Sequence, residues 1–312
     1  LSVTTTSGPG LLLKAETIGL AVSVELPLLV CNIQRAGPST GMPTKTEQAD
    51  LLQSMFGRNG ESPIPIVAAP SPADCFDVAI EAARIAVKYR TPVILLSDGY
   101  LANGSEPWRI PGTASLPDLS QEFAFATAAG NGGEFEPFRR DPVTLARPWA
   151  VPGTPGLEHR IGGIEKADVT GTISYDPDNR DRMVRLGKAK IDGIAANIPP
   201  LDVDDPDGTA RVLVLGWGST FGSIGAAVRR TRKAGLAVAQ AHLRHLNPFP
   251  ANLADVLDRY DKVLVPEINL GQLALLLRGR FLVDVISYNQ VRGLPFQAAE
   301  LAGVIEDVIG HG

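Results

Sequence analysis

Short apolar segments alternate with helix-forming segments over residues 209–312, and this order restricts the fold more than any other feature of the sequence. The segments that predict strands are Val212–Leu215, Ala237–Ala241, Lys262–Val265 and Val283–Ile286. Helices are predicted near residues 220–234, 251–260, 271–280 and 297–309. Because neighbouring parallel strands need a crossover connection, this alternation predicts a parallel, doubly wound α/β sheet.

The first part of the chain, residues 1–110, shows the same alternation. The predicted strands cover residues 2–6, 27–34, 64–69 and 93–96, and the predicted helices cover residues 11–23, 45–56 and 72–89. Ser71 and Pro72 suit the N-cap and the first position of the third helix. Asp98 follows the last strand, where an aspartate is more often a turn former than a catalytic residue. The sequence therefore predicts a further α/β unit ahead of the one described above.

An arginine directly follows one of the buried strands of this first unit. Arg35 ends an apolar strand, and the loop after it contains two glycines and two prolines, which exclude both helix and strand. We call residues 35–45 the arginine loop. In open α/β sheets, ligands bind in the crevice at the carboxyl ends of the strands, so a guanidinium there faces a predicted binding site. The residues alone leave the alternative open that Arg35 is a solvated or salt-bridged surface arginine.

Composition excludes several function classes. The chain has 312 residues, of which 44% are hydrophobic and 20% charged, so it is not disordered and two domains are expected. A formal net charge of −5 without a Lys/Arg cluster argues against nucleic-acid binding. The most apolar stretch, residues 11–30, carries three charged residues and does not predict a membrane span. Cys31 and Cys75 lack disulfide or metal-ligand spacing, which predicts buried, reduced thiols in a cytoplasmic protein and no metal or iron–sulfur site in this chain.

The composition changes between residues 111 and 208. Proline and glycine are frequent there and apolar runs are absent, so we predict a connector between a first domain of residues 1–110 and a second domain of residues 209–312. Glu158 and His159 lie side by side in this connector and form a carboxylate–imidazole pair of the kind used in acid–base catalysis. Adjacent side chains of an extended segment point to opposite sides, however, so catalysis there is the less favoured interpretation.

A glycine-rich turn follows the first strand of the second domain. Gly216, Gly218 and Gly222 are reminiscent of a dinucleotide-binding turn, but their spacing has one residue too many for the Gly-x-Gly-x-x-Gly pattern. No acidic residue stands near position 243, where such a protein would bind the ribose. The pattern argues against nucleotide binding, and a small-molecule binding module that uses this turn remains the weaker alternative.

Several motifs of the chain resemble one enzyme family. The arginine loop lies in the run Gln-Arg-Ala-Gly-Pro-Ser-Thr-Gly-Met-Pro-Thr, with Thr-Ser-Gly-Pro-Gly-Leu before it at residues 6–11 and Ser-Asp-Gly-Tyr-Leu after it at residues 97–101. Further on, Asn-Pro-Phe-Pro occupies residues 247–250 and Glu-Ile-Asn-Leu-Gly-Gln-Leu occupies residues 267–273. Together these motifs resemble the α subunit of the 2-oxoacid:ferredoxin oxidoreductases, and the 2-oxoglutarate type is the most similar.

The resemblance implies a fold and an activity. The implied fold is α/β, with a thiamine-diphosphate pyrimidine-binding-type domain that lacks its beginning, followed by a transketolase C-terminal-like parallel α/β domain. The implied reaction is oxidative decarboxylation of 2-oxoglutarate with coenzyme A and ferredoxin to succinyl-CoA and CO₂. Thiamine diphosphate is shared with a β subunit that holds Mg²⁺ and a [4Fe-4S] cluster, in an α₂β₂ assembly. Pyruvate or a branched 2-oxoacid as substrate, and a non-catalytic scaffold subunit, stay open as alternatives.

The resemblance also implies site residues. Arg35 matches the family's substrate arginine, and the weaker candidates for the same pocket are Ser39, Thr40, Thr44 and Lys45. Lys45 suits the second carboxylate of 2-oxoglutarate. Ser7 and Gly8 are expected along the wall of the cofactor site. The glutamate that activates the cofactor normally precedes the segment at residues 6–11, so it is expected to fall before Leu1 and no catalytic residue is assigned within this chain.

Overall fold

The computed structural model describes residues 1–121, 123–124 and 135–310 of the chain. Its strands are, in chain order, β1 Ser2–Thr6, β2 Leu28–Gln34, β3 Ile66–Ala68, β4 Pro92–Asp98, β5 Val203–Asp204, β6 Val212–Trp217, β7 Ala239–Leu243, β8 His245–Asn247, β9 Lys262–Glu267 and β10 Val285–Asn289. Its α-helices are α1 Gly8–Leu13, α2 Ala15–Val24, α3 Leu51–Phe56, α4 Asp74–Tyr89, α5 Gly99–Asn103, α6 Pro177–Gly193, α7 Phe221–Lys233, α8 Leu253–Asp258, α9 Gln272–Phe281 and α10 Ala298–Gly310. The strands form two five-stranded sheets.

The first sheet has the strand order β1-β2-β4-β3-β8. Strands β1 to β4 run parallel, whereas β8 comes from the second half of the chain and pairs antiparallel with β3 at the edge. The strands predicted for this unit are present, although β3 is shorter than predicted and β4 is longer. Every residue of β4 is buried, which is typical of a central parallel strand covered on both faces.

Two helices predicted for this unit differ from those observed. The segment predicted as one helix over residues 11–23 forms two, α1 and α2, because the backbone at Lys14 leaves the helical region. The helix predicted from residue 45 begins only at Leu51. The backbone N–H of Gln48 donates to Ile268 O at 3.2 Å, and its carbonyl accepts from Asn269 Nδ2 at 2.8 Å. These bonds to the second unit replace those of a helical turn, so the prediction was wrong for residues 45–50.

The second sheet has the strand order β10-β9-β6-β7-β5, and only β5 runs antiparallel among its pairings in the described residues. Alternate residues of β6 face different helices. Leu213 and Leu215 belong to the apolar cluster that contains α8 and α9, whereas Val214 belongs to the cluster that contains α7 and α10. Helices therefore cover both faces of the sheet. The doubly wound arrangement predicted from the alternation of strands and helices is confirmed.

A long helix, α6, lies in the segment where no helix was predicted. Asp176 caps it by accepting hydrogen bonds from the backbone N–H groups of Asp178 at 2.8 Å and Asn179 at 3.2 Å, and Pro177 occupies its first turn. Only Lys190 and Ile191 of this helix are buried. With so narrow a buried face, the sequence shows no apolar stripe at helical spacing, which explains why the helix was missed.

A single apolar cluster joins the two sheets. It contains Val30 and Ile94 from the first sheet, Leu51 from α3, and Leu215 and Trp217 from the second sheet, all with exposed fractions of 4% or less. Burying a large apolar side chain contributes roughly 1.5–3 kcal/mol, so the shared cluster holds the two units together. In the described residues, none of the helices is both long and apolar enough to cross a membrane.

Candidate functional site

The parallel strands of the first sheet end side by side. Thr6 of β1 pairs with Asn32 of β2, and Gln34 of β2 pairs with Asp98 of β4. The turn after β1, the arginine loop after β2 and the start of α5 after β4 therefore meet at one edge of the sheet, which we call the carboxyl edge. This is the edge at which open α/β proteins bind ligands.

Arg35 brings an unpaired cation to the carboxyl edge. The residue is half-buried, and its Nε atom is shielded from solvent without a hydrogen-bond partner. Within the part of the chain that the structure describes, no carboxylate lies within 4.0 Å of its guanidinium. Leaving such a donor buried and unsatisfied costs on the order of 1–3 kcal/mol. The position is suited to an anion that comes from outside this chain.

The arginine loop is closed by its own backbone. Ala36 donates to Lys45 O at 3.0 Å and accepts from the N–H of Met42 at 2.9 Å, while Lys45 donates to Met42 O at 3.0 Å. Gly41 has a φ of 47°, and a Cβ at this position would lie 1.9 Å from Ala36 O. Only glycine fits there, so the loop has one defined shape rather than being a loose connection.

The loop residues proposed for the substrate pocket lie together but differ in exposure. Arg35 is half-buried, whereas the other four are exposed, namely Ser39, Thr40, Thr44 and Lys45. The Glu47 carboxylate accepts from the N–H of Gly37 at 2.8 Å and links the start of the loop to the segment that follows it. A Cβ on Gly293 would lie 3.0 Å from Lys45 Cβ, so the second unit packs against this lysine.

Ser7 and Gly8 lie at the turn after β1. Ser7 has an extended backbone ahead of α1, and its side chain makes no capping hydrogen bond. Gly8 is buried, and a Cβ at this position would lie 2.8 Å from Asp50 Oδ2. The absence of a side chain at Gly8 is therefore what allows Asp50 to approach this turn.

Asp50 and two polar residues of β2 were not identified from the sequence. Asp50 Oδ2 accepts from Asn32 Nδ2 at 2.9 Å, and Asp50 N–H donates to Gln34 Oε1 at 3.1 Å. Asn32 is fully buried, and its Oδ1 atom has no hydrogen-bond partner. Burial raises the pKa of Asp50, against the hydrogen bond from Asn32, which lowers it. The sequence does contain a signal for this polar cluster. Asn32 and Gln34 are two residues apart in an apolar strand, so their amides point to the same face of the sheet.

Asp98 acts as a cap. Its carboxylate accepts from the backbone N–H groups of Tyr100 at 2.9 Å and Leu101 at 3.2 Å, at the start of α5. Burial raises the pKa of Asp98, whereas hydrogen bonds from Ser219 and these backbone groups lower it. The interpretation of Asp98 as a turn former is confirmed.

The glycine-rich turn of the second unit is filled by the first unit. Gln48 Nε2 donates to Trp217 O at 2.7 Å and lies 2.8 Å from the place where Gly218 would carry a Cβ. On the other side, His242 Nε2 lies 3.0 Å from Gly218 O. The turn is therefore an internal contact between the units, which leaves no opening for a phosphate against its backbone.

Glu267 anchors this contact with a buried carboxylate. It accepts from Trp217 Nε1 at 3.1 Å and from Asn269 Nδ2 at 2.9 Å. It also accepts from the backbone N–H groups of Leu273 and Ala274, in the first turn of α9, at 2.8 and 3.1 Å. Asn269 Nδ2 also donates to Gln48 O at 2.8 Å. Burial raises the pKa of Glu267, and these donors oppose that rise. Both Glu267 oxygens have partners, so this group is structural.

Glu158 and His159, singled out in the connector, are held by separate hydrogen bonds. Glu158 accepts from the N–H of Gly156 at 2.9 Å, and His159 Nδ1 lies 2.7 Å from Leu157 O. Each is hydrogen-bonded to the backbone of its own segment. The two cysteines are free thiols, as predicted, but both are half-buried rather than buried.

The fold and the carboxyl edge together define an α/β protein whose first unit collects unpaired polar groups at the ends of its parallel strands. Residues 1–175 match the family described as pyruvate flavodoxin/ferredoxin oxidoreductase, thiamine diP-bdg. Residues 210–295 match pyruvate:ferredoxin oxidoreductase core domain II. The chain belongs to the pyruvate flavodoxin/ferredoxin oxidoreductase family. The order of domains expected from the resemblance is confirmed.

The relatives extend this result. The 2-oxoglutarate oxidoreductase subunit KorA of Mycobacterium tuberculosis is 61% identical over 98% of this chain and 46% of its own length. Subunit alpha of 2-oxoacid:ferredoxin oxidoreductase 2 of Aeropyrum pernix is 34% identical over 99% of this chain and 48% of its own. The chain thus spans about half the length of these relatives.

A solved structure shows the same fold. The 2-oxoglutarate:ferredoxin oxidoreductase of Magnetococcus marinus, solved with 2-oxoglutarate, coenzyme A and succinyl-CoA bound, aligns with a TM-score of 0.90 at 33% identity. The alignment covers 98% of this chain and 53% of that chain. The resemblance found in the sequence motifs is confirmed by these matches.

Proposed function

We propose that this chain provides one half of the active site of a 2-oxoglutarate:ferredoxin oxidoreductase. The reaction is the oxidative decarboxylation of 2-oxoglutarate with coenzyme A and ferredoxin to succinyl-CoA and CO₂. The observation that carries the proposal is the unpaired Nε of Arg35, buried at the carboxyl edge without a carboxylate partner among the described residues. The 61% identity to a 2-oxoglutarate oxidoreductase subunit supports the choice of substrate.

Arg35 is proposed to bind the C1 carboxylate of the substrate. A guanidinium holds a carboxylate through two parallel N–H donors, which fixes both position and orientation. The closed shape of the arginine loop keeps these donors in place before the substrate arrives, and that reduces the entropy lost on binding. Lys45, exposed on the same loop, is proposed to attract the second carboxylate, with Ser39, Thr40 and Thr44 as weaker contacts.

The groups at the carboxyl edge fit the aminopyrimidine half of thiamine diphosphate. The buried turn at Gly8 is proposed as the wall of this site, while the unpaired Asn32 Oδ1 and the Asp50 carboxylate supply acceptors. When bound, thiamine diphosphate supplies the carbon nucleophile for the 2-oxo group and takes up the electron pair released by decarboxylation. Ser7 and Gly8 are proposed to contact it, whereas Mg²⁺ and the [4Fe-4S] cluster are assigned to a β subunit.

This chain's own residues are proposed to orient the substrate. With Arg35 holding one end of the substrate, the leaving carboxylate is fixed relative to the crevice wall at Gly8. Asp50, whose pKa is raised by burial, offers an oxygen that can accept a proton close to that wall. No residue of this chain is proposed as the group that activates the cofactor.

The wider assembly follows from the same proposal. We assign a β subunit as the partner that covers the carboxyl edge in an α₂β₂ enzyme of the cytoplasm, with ferredoxin as electron acceptor. Residues 1–110, 111–208 and 209–312 are proposed as first domain, connector and second domain. The matches to residues 1–175 and 210–295 support a second domain that begins near residue 209.

The proposal is tested by reconstitution. The chain is titrated with a β subunit, and 2-oxoacid-dependent reduction of a viologen dye is measured with thiamine diphosphate, Mg²⁺ and coenzyme A. We expect no activity from the chain alone, and activity with 2-oxoglutarate that saturates at a fixed ratio of subunits. Pyruvate and a branched 2-oxoacid are the comparison substrates. A higher kcat/KM on either would reject 2-oxoglutarate, and activity that is independent of this chain would make it a scaffold.

Hydrogen exchange tests the location of the partner. The turn after β1, the arginine loop and the start of α5 are expected to exchange more slowly after the β subunit is added, because a stable subunit contact buries more than about 2,000 Å². Residues 253–258, in α8 of the second unit, serve as the internal comparison. Unchanged exchange at the carboxyl edge would place the partner on another face.

A further inference from the structure

A cavity of about 300 Å³ lies at the opposite edge of the first sheet, where its strands begin. Its wall includes Glu25, just before β2, and Thr91, just before β4. The side of the cavity away from the sheet is formed by Lys166 and by α6. Strands β1 to β4 are parallel, so the carboxyl edge lies where they end and this cavity lies where they begin. The cavity is thus separate from the site proposed above.

Buried cations outnumber buried carboxylates around this cavity. The Arg140 side chain is 8% exposed, and Lys166 and Lys190 are 2% and 5% exposed. Glu25, at 6%, is the one carboxylate of comparable burial among the described residues that line the cavity. It is shared, because it pairs with Arg140 at 2.8 Å and with Lys190 at 2.7 Å. Buried charges are normally paired one to one, so this interior carries an excess of positive charge.

Two of the three cations lack a close carboxylate of their own. Arg140 Nε is shielded from solvent and makes no hydrogen bond, and its closest carboxylate oxygen on Asp168 is 3.9 Å away. Lys166 Nζ is bound by three neutral oxygens, those of Ser23 Oγ at 3.2 Å, Gly162 O at 3.0 Å and Ile164 O at 3.2 Å. No described carboxylate forms an ion pair with Lys166. The three donors of Lys166 are thus occupied and only its charge lacks a carboxylate partner, so an incoming oxyanion would accept from Arg140 Nε and neutralise the charge of Lys166.

The carboxylates at the rim restrict the size of the occupant. Glu16 and Glu61 line the opening and are exposed, and Glu165 is held by Arg180 at 2.5 Å. A long polyanion would meet these rim charges, whereas a small anion that reaches the interior would not. The charge distribution therefore selects a compact oxyanion over a nucleotide.

We propose that this cavity is a second ligand site, which binds a small oxyanion, a phosphate or a dicarboxylate, through Arg140, Lys166 and Lys190. The site does not depend on the proposed reaction, since none of these residues is at the carboxyl edge. Glu25 and Lys190 also connect the cavity to the end of α2 and to α6. Occupation of the site would therefore neutralise the charges that hold α6 against the first unit.

The test uses the assembled complex of this chain with its β subunit. Binding of inorganic phosphate and of succinate is measured separately by titration calorimetry, and the wild-type complex is expected to bind at least one of them with a Kd of about 1 mM or lower. Gly187 of α6 lines the cavity, and a Cβ there would meet nothing within 4 Å. Gly187→Glu therefore places a carboxylate in the cavity without removing any existing ion pair.

The matched control is Gly187→Gln, which has the same size without the charge. We expect Gly187→Glu to weaken binding at least about tenfold relative to Gly187→Gln, because like charges repel strongly in a partly desolvated site. Glu61→Gln, which removes a rim charge, is expected to strengthen binding a few-fold. Glu61 is exposed, so this variant keeps the proposal testable if Gly187→Glu does not fold.

Three results would overturn the proposal. The first is absence of saturable binding of both anions to the wild-type complex. The second is equal affinity of the Gly187→Glu and Gly187→Gln complexes, together with no effect of Glu61→Gln. The third is loss of binding in Arg35→Lys, which would assign the anion to the carboxyl edge. Preference for phosphate or for succinate identifies which oxyanion the site takes.

Discussion

The two units of this protein each have a glycine-containing segment that follows a buried strand. The two segments differ in whether their polar groups have partners within the chain. The arginine loop after β2 leaves Arg35 Nε without a partner, and the Oδ1 of Asn32, within β2, is also unpaired. The turn after β6 is filled by Gln48, which donates to Trp217 O at 2.7 Å. Similar local sequence features, a strand followed by glycines, thus lead to an open edge in one unit and a closed contact in the other.

The difference shows that buried polar groups with partners mark a structural contact, whereas buried polar groups without partners mark a candidate ligand site. Around Glu267, all the donors named above have an acceptor within the chain, so adding a ligand gains nothing there. At the carboxyl edge, Arg35 Nε and Asn32 Oδ1 are buried without hydrogen-bond partners. Because an unsatisfied buried polar group costs on the order of 1–3 kcal/mol, a ligand that pairs with them binds with that advantage.

Removing the Glu267 carboxylate should have the largest effect on stability. Glu267→Ala would leave Trp217 Nε1 and two backbone N–H groups of α9 buried without an acceptor. We expect the free energy of unfolding to fall by about 3–5 kcal/mol, measured by chemical denaturation. Asp261→Ala, which removes an exposed partner of Arg211, is the control and should change it by less than about 0.5 kcal/mol. A similar small change for Glu267→Ala would mean that the contact between units is not held by this carboxylate.

Arg35→Lys, in contrast to Glu267→Ala, should lower activity and leave stability unchanged. Lysine keeps the charge but loses the two-pronged geometry, so we expect kcat/KM for the 2-oxoacid to fall by roughly 30- to 1,000-fold, or about 2–4 kcal/mol. Denaturation midpoint and cofactor occupancy should stay unchanged, because Arg35 makes no ion pair with the described residues. Arg229→Lys, on the exposed face of α7, is the control. Near-normal kcat/KM at full occupancy would show that Arg35 is a surface residue.

The closed contact should also respond to acid. Burial, with a smaller contribution from nearby Arg244, lowers the pKa of His242 to about 3, whereas the unfolded chain keeps an ordinary histidine. Below pH 6.5 the native state therefore binds fewer protons than the unfolded state. The stability contributed by neutral His242 is lost as the pH falls from about 6.5 towards 3. The loss is at most about 1.4 kcal/mol per pH unit, or about 2 kcal/mol at pH 5.

The measurement is urea denaturation of wild type and His242→Gln between pH 8 and pH 5. The variant lacks the titrating ring, so the difference in unfolding free energy between the two proteins should shrink as pH falls. A difference that stays constant across this range would exclude His242 as the titrating group. Other groups titrate in both proteins and cancel in the comparison.

The sequence predicted the parallel strands of both sheets and the position of Arg35, because these depend on local apolar patterns and on which edge a parallel strand ends at. It did not predict the short antiparallel edge strands β5 and β8. It missed the late start of α3 because Gln48 bonds to Ile268, a residue distant in the chain. It also missed α6, which buries little apolar surface. Features that depend on local pattern were predictable, and those that depend on contacts between units were not.

The site shows the same division. Ser7, Gly8 and Arg35 were proposed as site residues from motifs, whereas Asp50 was not proposed from the sequence. Its approach to Gly8 and its bond to Asn32 require the fold to bring three segments together. The polar pair Asn32 and Gln34, on one face of an apolar strand, is the sequence feature that indicates this part of the site.

The smallest predicted effect concerns Lys45 and separates the two carboxylates of the substrate. Lys45 is exposed on the arginine loop, so a contact to the second carboxylate is screened by solvent and contributes only about 1 kcal/mol. Lys45→Met should lower kcat/KM for 2-oxoglutarate about fivefold at low ionic strength and leave that for pyruvate unchanged, since pyruvate has no second carboxylate. Pyruvate thus serves as the internal control, and raising the salt concentration should shrink the difference between wild type and variant. An equal loss on both substrates would mean that Lys45 shapes the loop, as its packing against Gly293 allows, and the selection of the dicarboxylate would then have to come from another residue or from the partner subunit.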